Sequence, residues 1–571
     1  MIHRAATDQS LTSGGQTPDL QVSGSLAEQA ELILVRAKAT AFPPQSPRAE
    51  DREPLPEISA EETLGERFLT VAAHFATEPA VLLPTGNYSY ADLKRAALAV
   101  ADRLTGSMSF HAGDRVGLLL PNSFEYVAAF YGVLLAGGVA VPLPANAESS
   151  RLHEIAKRCD CRILISSEEV RRRRHDLPIA TGELDLLGSK TRQSKLWQDR
   201  PRIETNDLAT ILFTSGSMGT AKGVMLSHHN LLANARSICR YLILSPQERA
   251  LVILPFCHAF GNSVLQTHIL SGASLALAGS LTFPNTILEG ILRFAATSFS
   301  GVPEVFQILL SRSSLGEEPL PSLRYMAVAG GYLPPDRAAE VARRIAPAKL
   351  FVMYGQTEAT ARLAHLPPEL LAERYGSIGR AIPDVELQVV DADAHLVPPG
   401  ETGEIRARGP NVMQGYWDDP EGTAAVLRDG WLWTGDFATT DEEGFLYPRG
   451  QRNALVKIGG FRVHPRELEE FVQQQFDVER AVAVPVEVPE IGARLALFVQ
   501  SGGDESITAE EITRHCRRGL PPQKVPVYVE TVPQLPLNDT LKLDQVALRR
   551  RAEEHLRQGA ASREPHSHPQ P

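Results

Sequence analysis

RVGLLLPNSFEYVAAFYGVLLAGGVAVPL, residues 115–143, carries the reading of the fold. RVGLLL is a short apolar run of strand type, and SFEYVAAFYGVLLA is an apolar run of helical length. Gly137-Gly138 interrupts it, and Val139 to Leu143 resumes as a buried strand. Residues 126–143 carry no charge and approach the length of a membrane span, yet the glycines and Pro142 punctuate them. Helix, turn and strand inside a core is therefore the reading, and no other run is a better span. The alternation recurs in CRILIS (residues 161–166) before a charged segment, and in LFVM (residues 350–353) running into a glycine turn. It predicts an α/β protein whose large N-terminal domain holds mixed, largely parallel sheets flanked by helices.

The chain has 571 residues, too many for one ordinary core. Residues 1–65 are rich in Ser, Gly, Pro and acidic side chains and read as a disordered extension. Within them Leu26, Ala30, Ile33, Leu34 and Ala37 recur at helical spacing, which suggests a short helix, for docking or for packing on its own domain. Residues 66–449 form the large domain. RGQRNALVKIGG (residues 449–460) separates it from a smaller α/β domain, residues 450–555, and residues 556–571, HSHPQP included, read as a disordered tail without a metal site. The Arg171 to Arg174 run reads as a solvated helix face.

A net charge of -11 gives no electrostatic reason to expect nucleic acid or an anionic membrane as partner. Five cysteines, of which only Cys159 and Cys161 are close in sequence, cannot make a disulfide framework. Buried thiols of a reducing compartment are expected. MIHRAATDQSLTSGG lacks the apolar core of a secretory signal. The expected location is cytoplasmic.

The most informative chemistry lies in Thr214-Ser215-Gly216-Ser217-Met218-Gly219-Thr220-Ala221-Lys222-Gly223. It follows the apolar strand of residues 209–213 and precedes LSHHNLLANA (residues 226–235), read as a helix. Its glycines let backbone amides approach phosphate oxygens, and its hydroxyls and lysine add donors and positive charge. Gly-Lys-Ser/Thr is absent, so it is not a Walker loop.

This segment resembles the phosphate loop, usually TSGTTGxPKG, of the superfamily of acyl- and aryl-CoA ligases, peptide-synthetase adenylation domains and luciferases. Met218 and Ala221 depart from that pattern. The resemblance implies that Thr214, Ser215, Gly216, Ser217, Gly219 and Lys222 bind ATP. Further motifs follow in the family's order, over residues 66–550. Leu254-Pro255-Phe256-Cys257-His258-Ala259-Phe260 resembles the segment lining the carboxylate pocket, with His258 as an aromatic gate and Phe260 beside it. Ala259 stands where amino-acid-activating relatives carry an Asp, which argues against an α-amino acid, since a buried ammonium needs a partner. Ser300-Gly301-Val302-Pro303 and Ala329-Gly330-Gly331-Tyr332 resemble the acyl-pocket and adenine-binding turns. By resemblance Gly301, Val302 and Tyr332 belong to the acyl side, Gly330 and Gly331 to the nucleotide side.

Tyr354-Gly355-Gln356-Thr357-Glu358 is similar to the family's YGxTE. An aromatic can stack on adenine, a hydroxyl can bind the α-phosphate, and a carboxylate can hold Mg²⁺. Thr357 and Glu358 are thus read as catalytic, and Glu358 with Thr214 as metal ligands. Asp436 in Trp433-Thr434-Gly435-Asp436 resembles the ribose-binding aspartate. In the family the smaller domain is mobile, and Lys542 matches the lysine it brings to the acyl carboxylate and α-phosphate. Thr540-Leu541 replaces the usual glycine-containing pair before that lysine, removing easy access to positive φ. The hinge departs too: Gln451 stands for the usual arginine and Ala454 for the pivot acid, while Arg462 completes the nucleotide-side set. Gly459 and Gly460 resemble the tunnel for a pantetheine thiol.

The resemblance implies an AMP-forming ligase that activates a carboxylic acid, with a lean to fatty or aliphatic, using ATP and Mg²⁺. The acceptor is the thiol of coenzyme A or the phosphopantetheine of an acyl or peptidyl carrier protein. A non-catalytic acyl- or nucleotide-binding subunit, suggested by Gln451, Ala454 and Leu541, is the alternative of another class.

Overall fold

The computed structural model describes residues 55, 58–59, 61–106, 110–167, 170, 172, 181–182, 202–214, 221–451, 456–458, 461–488, 491–501, 507–538 and 541–561. All fall within one compact unit, Pro44–Pro571. The helix expected at residues 26–42, the C-terminal HSHPQP and all of the Arg171 to Arg174 run except Arg172 lie outside the described residues.

The stretch that opens the reading folds as strand Arg115–Leu119, helix Phe124–Leu135 and strand Val139–Pro142, the two strands being parallel neighbours. Ser123 caps the helix by accepting the Tyr126 N–H at 3.1 Å. Gly137, at φ +80°, turns the chain out of it, a conformation that costs glycine nothing. Within the helix Gly132 faces helix Tyr90–Thr105 so closely that a Cβ would lie 2.4 Å from that of Val100. From Tyr126 to Leu135 the helix is buried all round, which explains the lack of charge there; Glu125, in the first turn, is only partly buried. Among the described residues no helix is long and apolar enough to cross a membrane.

These strands belong to a seven-stranded sheet, next to a nine-stranded one. Strand Leu208–Phe213 enters the phosphate segment and strand Gly223–Ser227 leaves it, paired antiparallel. The segment thus closes a hairpin, and helix His228–Leu242 starts only after the second strand. The expected helix begins later than its apolar pattern suggested because Val224 and Leu226 are buried as alternate strand residues, and Ser227 is the cap, in a capping box with Asn230.

In the nine-stranded sheet Ser298–Gly301, Tyr325–Val328 and Lys349–Tyr354 are adjacent and parallel. Their C-terminal ends release the Gly301-Val302, Gly330-Gly331 and Tyr354-Gly355 segments side by side, where open parallel sheets place ligands. A third, five-stranded sheet holds Trp431–Thr440, in which Asp436 is paired with Gln451 of strand Leu446–Gln451.

The C-terminal part has its own apolar clusters around the three-stranded sheet Val478–Val488, Gly492–Ser501 and Tyr528–Val532. Two expected boundaries move. Helix Leu64–His74 begins ahead of residue 66, with Leu64 fully buried and Thr63 in a capping box with Glu66. Helix Gln545–Ala561 runs past residue 555, where Leu556 packs on the cluster of Leu548 and Ala552. None of the five cysteines is in a disulfide, and four of them are buried.

His228 is buried and its Nδ1 accepts the Leu64 N–H at 3.2 Å. Burial pushes His228 and the buried His268 down to about 4 from the ordinary 6.5. The unfolded chain therefore binds more protons than the native one in that window, so stability falls as pH drops from 6.5 towards 4. Every tenfold loss of proton affinity on folding is worth about 1.4 kcal/mol per histidine. Thermal unfolding followed across that window should show this acid loss, and His228→Asn should show a shallower one.

Candidate active site

The three parallel strand ends, the Asp436 strand and the C-terminal part enclose a cleft of about 1400 Å³. Thr214, His258, Phe260, Val302, Gly330, Gly331, Tyr332, Tyr354 to Glu358, Asp436 and Lys542 all line it. Gly301 does not; a Cβ there would press on Val305 at 3.1 Å, so it serves the close packing behind Val302. Ser215, Gly216, Ser217, Gly219, Ala454, Gly459 and Gly460 lie outside the described residues. Gln451 and Arg462 are located by backbone, in strands Leu446–Gln451 and Phe461–Val463.

On one wall Tyr354 donates its hydroxyl to Asp436 Oδ2 at 2.7 Å. Gly435, at φ +76°, turns the strand so that Asp436 N–H bonds Thr434 Oγ1 at 3.1 Å, and Thr434 in turn donates to the Ile405 carbonyl at 2.7 Å. Asp436 is thereby held as an oriented acceptor. Burial, with Asp436 next, keeps the Tyr354 phenol protonated well above its usual range. Beside them the Nε2 of Gln356 is buried with no partner among the described residues, a donor that a nucleotide in the cleft could satisfy.

Glu358 stands in a short helical turn, Thr357–Ala359, after the glycine. Its Oε1 accepts the Tyr416 hydroxyl at 2.8 Å, while no described donor reaches Oε2. Lys222 lies over the Tyr416 ring at 4.4 Å and 3.9 Å from Asp419. Neither it nor Tyr416 lines the cleft, but Tyr416 reaches the wall through its hydrogen bond to Glu358. An oriented carboxylate with an open oxygen, and the Thr214 hydroxyl on the same cleft, suit a hard cation that prefers oxygen ligands. Glu358 and Thr214 fit Mg²⁺ in that sense.

Lys542 reaches the cleft from the C-terminal part, so close to Gly330 that a Cβ there would lie 3.1 Å from Lys542 Cε. Burial lowers its ammonium from the usual 10.5, opposed by Glu304, Asp436 and Glu358 in that order. The missing glycine before it is resolved at a cost. Leu541 takes φ +61°, a region expensive for a branched side chain by roughly 1–2 kcal/mol. Hydrogen bonds between Asn538 and residues 541–542, the shortest from Asn538 N–H to the Lys542 carbonyl at 2.7 Å, hold the loop in place.

Tyr332, expected on the acyl side, is 40% exposed at the mouth, with the Arg466 guanidinium 3.7 Å over its ring. There it lines the cleft and also meets the C-terminal part. Helix Pro303–Arg312 meets the same part: Glu304 pairs with Arg480 at 3.1 Å and Ser311 donates to Glu479 at 2.9 Å.

This series of glycine turns, oriented acids and one imported lysine has close counterparts. A family model described as AMP-binding enzyme matches residues 68–417, and its C-terminal domain model matches residues 467–542. The chain belongs to the AMP-binding enzyme family. This AMP-binding enzyme is 30% identical to a long-chain-fatty-acid–CoA ligase of Escherichia coli over 534 residues, 86% of this chain and 94% of the relative. It is 31% identical to a feruloyl-CoA synthase of Amycolatopsis sp over 472 residues, 81% and 94% of the two chains. The solved structure of Bacillus subtilis o-succinylbenzoate CoA synthetase with its acyl-adenylate intermediate superposes with a TM-score of 0.73 at 26% identity, covering 86% of this chain and 98% of that one.

Sequence reasoning missed Tyr416, Asp419, Glu304 and Arg480 in this AMP-binding enzyme. MQGYW (residues 413–417) is a visible glycine-aromatic cluster that could have flagged Tyr416. Glu304 and Arg480 give no local signal. Tyr416→Phe removes a hydrogen bond to a charged group, about 1.5–3 kcal/mol. Carboxylate-dependent pyrophosphate release should fall roughly tenfold or more, with a raised Mg²⁺ requirement and an unfolding midpoint close to wild type.

Proposed function

We propose that this enzyme activates an aliphatic carboxylic acid with ATP, releases pyrophosphate, and passes the acyl group from AMP to the thiol of coenzyme A. The observation that carries this reading is Lys542, a cation set in the cleft beside Gly330, with Glu358 and Asp436 around it. Membership of the AMP-binding enzyme family supports the adenylating step, and the CoA-ligase relatives support the acceptor.

In the first half-reaction a carboxylate oxygen of the acid attacks the α-phosphorus of ATP, and pyrophosphate leaves with the bonding pair. Asp436 accepts from the ribose hydroxyls, and Thr357 donates to the α-phosphate. Lys542 offsets the charge gathering on the acyl and α-phosphate oxygens. Glu358 and Thr214 would hold Mg²⁺, which would supply charge neutralisation at the phosphates. In the second half-reaction a thiolate adds to the acyl carbon and AMP leaves, so the adenylate serves as an activated acyl group. The contacts of Arg480 with Glu304 and of Arg466 with Tyr332 hold the C-terminal part in the arrangement suited to the first half-reaction.

Lys542→Ala should lower pyrophosphate release by about 10²–10³-fold and leave thiolysis of presynthesised acyl-adenylate nearly unchanged. Equal loss in both half-reactions would remove the role given to Lys542. Its charged form is the working one, so kcat/KM should fall as pH rises through its pKa, which burial holds below 10.5. That alkaline limb should move upward in Lys542→Arg.

Incubation with ATP, acid and coenzyme A should give acyl-CoA. Adenylate accumulating without acyl-CoA, and discharged only by a phosphopantetheinylated carrier protein, would replace coenzyme A by the carrier as acceptor. No carboxylate-dependent pyrophosphate release at all would mean a non-catalytic binding subunit.

A further inference from the structure

Arg362 follows the Glu358 turn and lines the same cleft, yet it is only 2% exposed. Its guanidinium lies over the Phe260 ring at 4.6 Å, and Nη1 donates to Ser263 Oγ. Nε is buried without a partner and Nη2 donates to no described atom. Those two nitrogens form the edge that takes a carboxylate as a fork. Among the described residues no carboxylate lies within ion-pair distance of it. The groups that sense its charge are Tyr241, Tyr325 and Cys239, all kept protonated by burial, with the Cys239 thiol pushed up to about 12, and His268, whose imidazole burial pushes down to about 4. Burial itself disfavours the Arg362 charge.

A desolvated cation without a counter-charge is costly, and such charges are normally paired. Arg249 is also buried without an acid among the described residues, but it does not line the cleft. Arg362 is, moreover, set in place firmly. Gly355 has no Cβ, so the chain folds back to bring Arg362 Cα within 2.6 Å of where one would be. The side-chain amides of Asn234 and Asn411 donate to the Arg362 carbonyl at 3.0 and 3.1 Å. A side chain preorganised in this way meets a ligand with little further loss of freedom.

We propose that Arg362 determines specificity, and that the acid this enzyme prefers carries a second carboxylate, remote from the reacting one, which the Nε/Nη2 edge binds. A hydroxyl or ketone would satisfy the donors but leave the charge uncompensated, so a dicarboxylic acid fits better than a hydroxy or keto acid. The aliphatic reading then applies to the chain between the two carboxylates. This inference rests on the adenylation reading above and narrows its substrate.

The test compares pyrophosphate release by the full-length protein with straight-chain monocarboxylic acids, the α,ω-dicarboxylic acids of equal carbon number, and the ω-hydroxy acids. Wild type should favour the dicarboxylic member of its best pair by about 10⁴-fold in kcat/KM, the scale on which a site built for a polar group rejects an analogue lacking it. In Arg362→Met that ratio should fall to near one or reverse, carried by kcat/KM for the dicarboxylic acid. Arg362→Lys should keep part of it. The unfolding midpoint of Arg362→Met should not drop, because an uncompensated buried charge has been removed.

A wild type that prefers the monocarboxylic or the hydroxy acid overturns the proposal, whether or not the variants fold. So does an Arg362→Met variant that loses both members of a pair equally, since Arg362 would then hold the reacting carboxylate or merely support Phe260 and Ser263. Pyrophosphate release from monocarboxylic acids alone refutes this inference and leaves the adenylation reading standing. Release from no acid refutes both.

Discussion

The ammonium of Lys542 sits in a cleft built mostly by residues more than a hundred positions earlier, and burial works against its charge. It is tolerated there because Glu304, Asp436 and Glu358 surround it. None of those acids has a purely local reason for its place. Asp436 is oriented by Tyr354 and by a glycine bend, Glu358 by Tyr416, and Glu304 by Arg480. The lysine and the acids therefore define one electrostatic arrangement, and the position of the C-terminal part follows from it. Arg480 contributes to both sides, since it belongs to the C-terminal sheet and pairs with an acid of the large domain.

The scaffold beneath this arrangement is the set of adjacent parallel strands. Neighbouring parallel strands end at the same level, so whatever follows them is gathered without any contact between the loops being required. Close packing then narrows the choice of residue. Gly355 cannot carry a Cβ because the Ala361 carbonyl would be 1.9 Å from it, and Gly261 is excluded from one by the Pro255 carbonyl at 2.1 Å. Gly355 belongs to the YGxTE-like segment of the sequence; in the structure both glycines are the points where one backbone segment rests on another. The same close approach that admits a ligand also brings Arg362 to the wall of the cleft.

Where the sequence misled, the cause was a competing interaction at longer range. Leu226 and Ser227 open the stretch read as a helix, but pairing with Leu208–Phe213 takes these two as strand. Leu541 lacks glycine's freedom and still adopts positive φ, because Asn538 and Lys542 close the loop around it. Tyr332 follows two glycines and lines the cleft, and its contact with Arg466, 134 positions later, has no local signal.

The residues alone determined the α/β class, through runs of strand and helix length broken by glycine. They also singled out the candidate site residues, because Thr357, Glu358, Asp436 and Lys542 stand in motifs whose spacing is local. Tertiary structure decided which of these groups share a cleft, which acid faces which cation, and that Arg362 lies buried with no described acid beside it. The physical reason is distance. Capping, turns and periodicity act over a few residues and can be read in order, whereas burial and charge compensation depend on groups that meet only after the chain has folded.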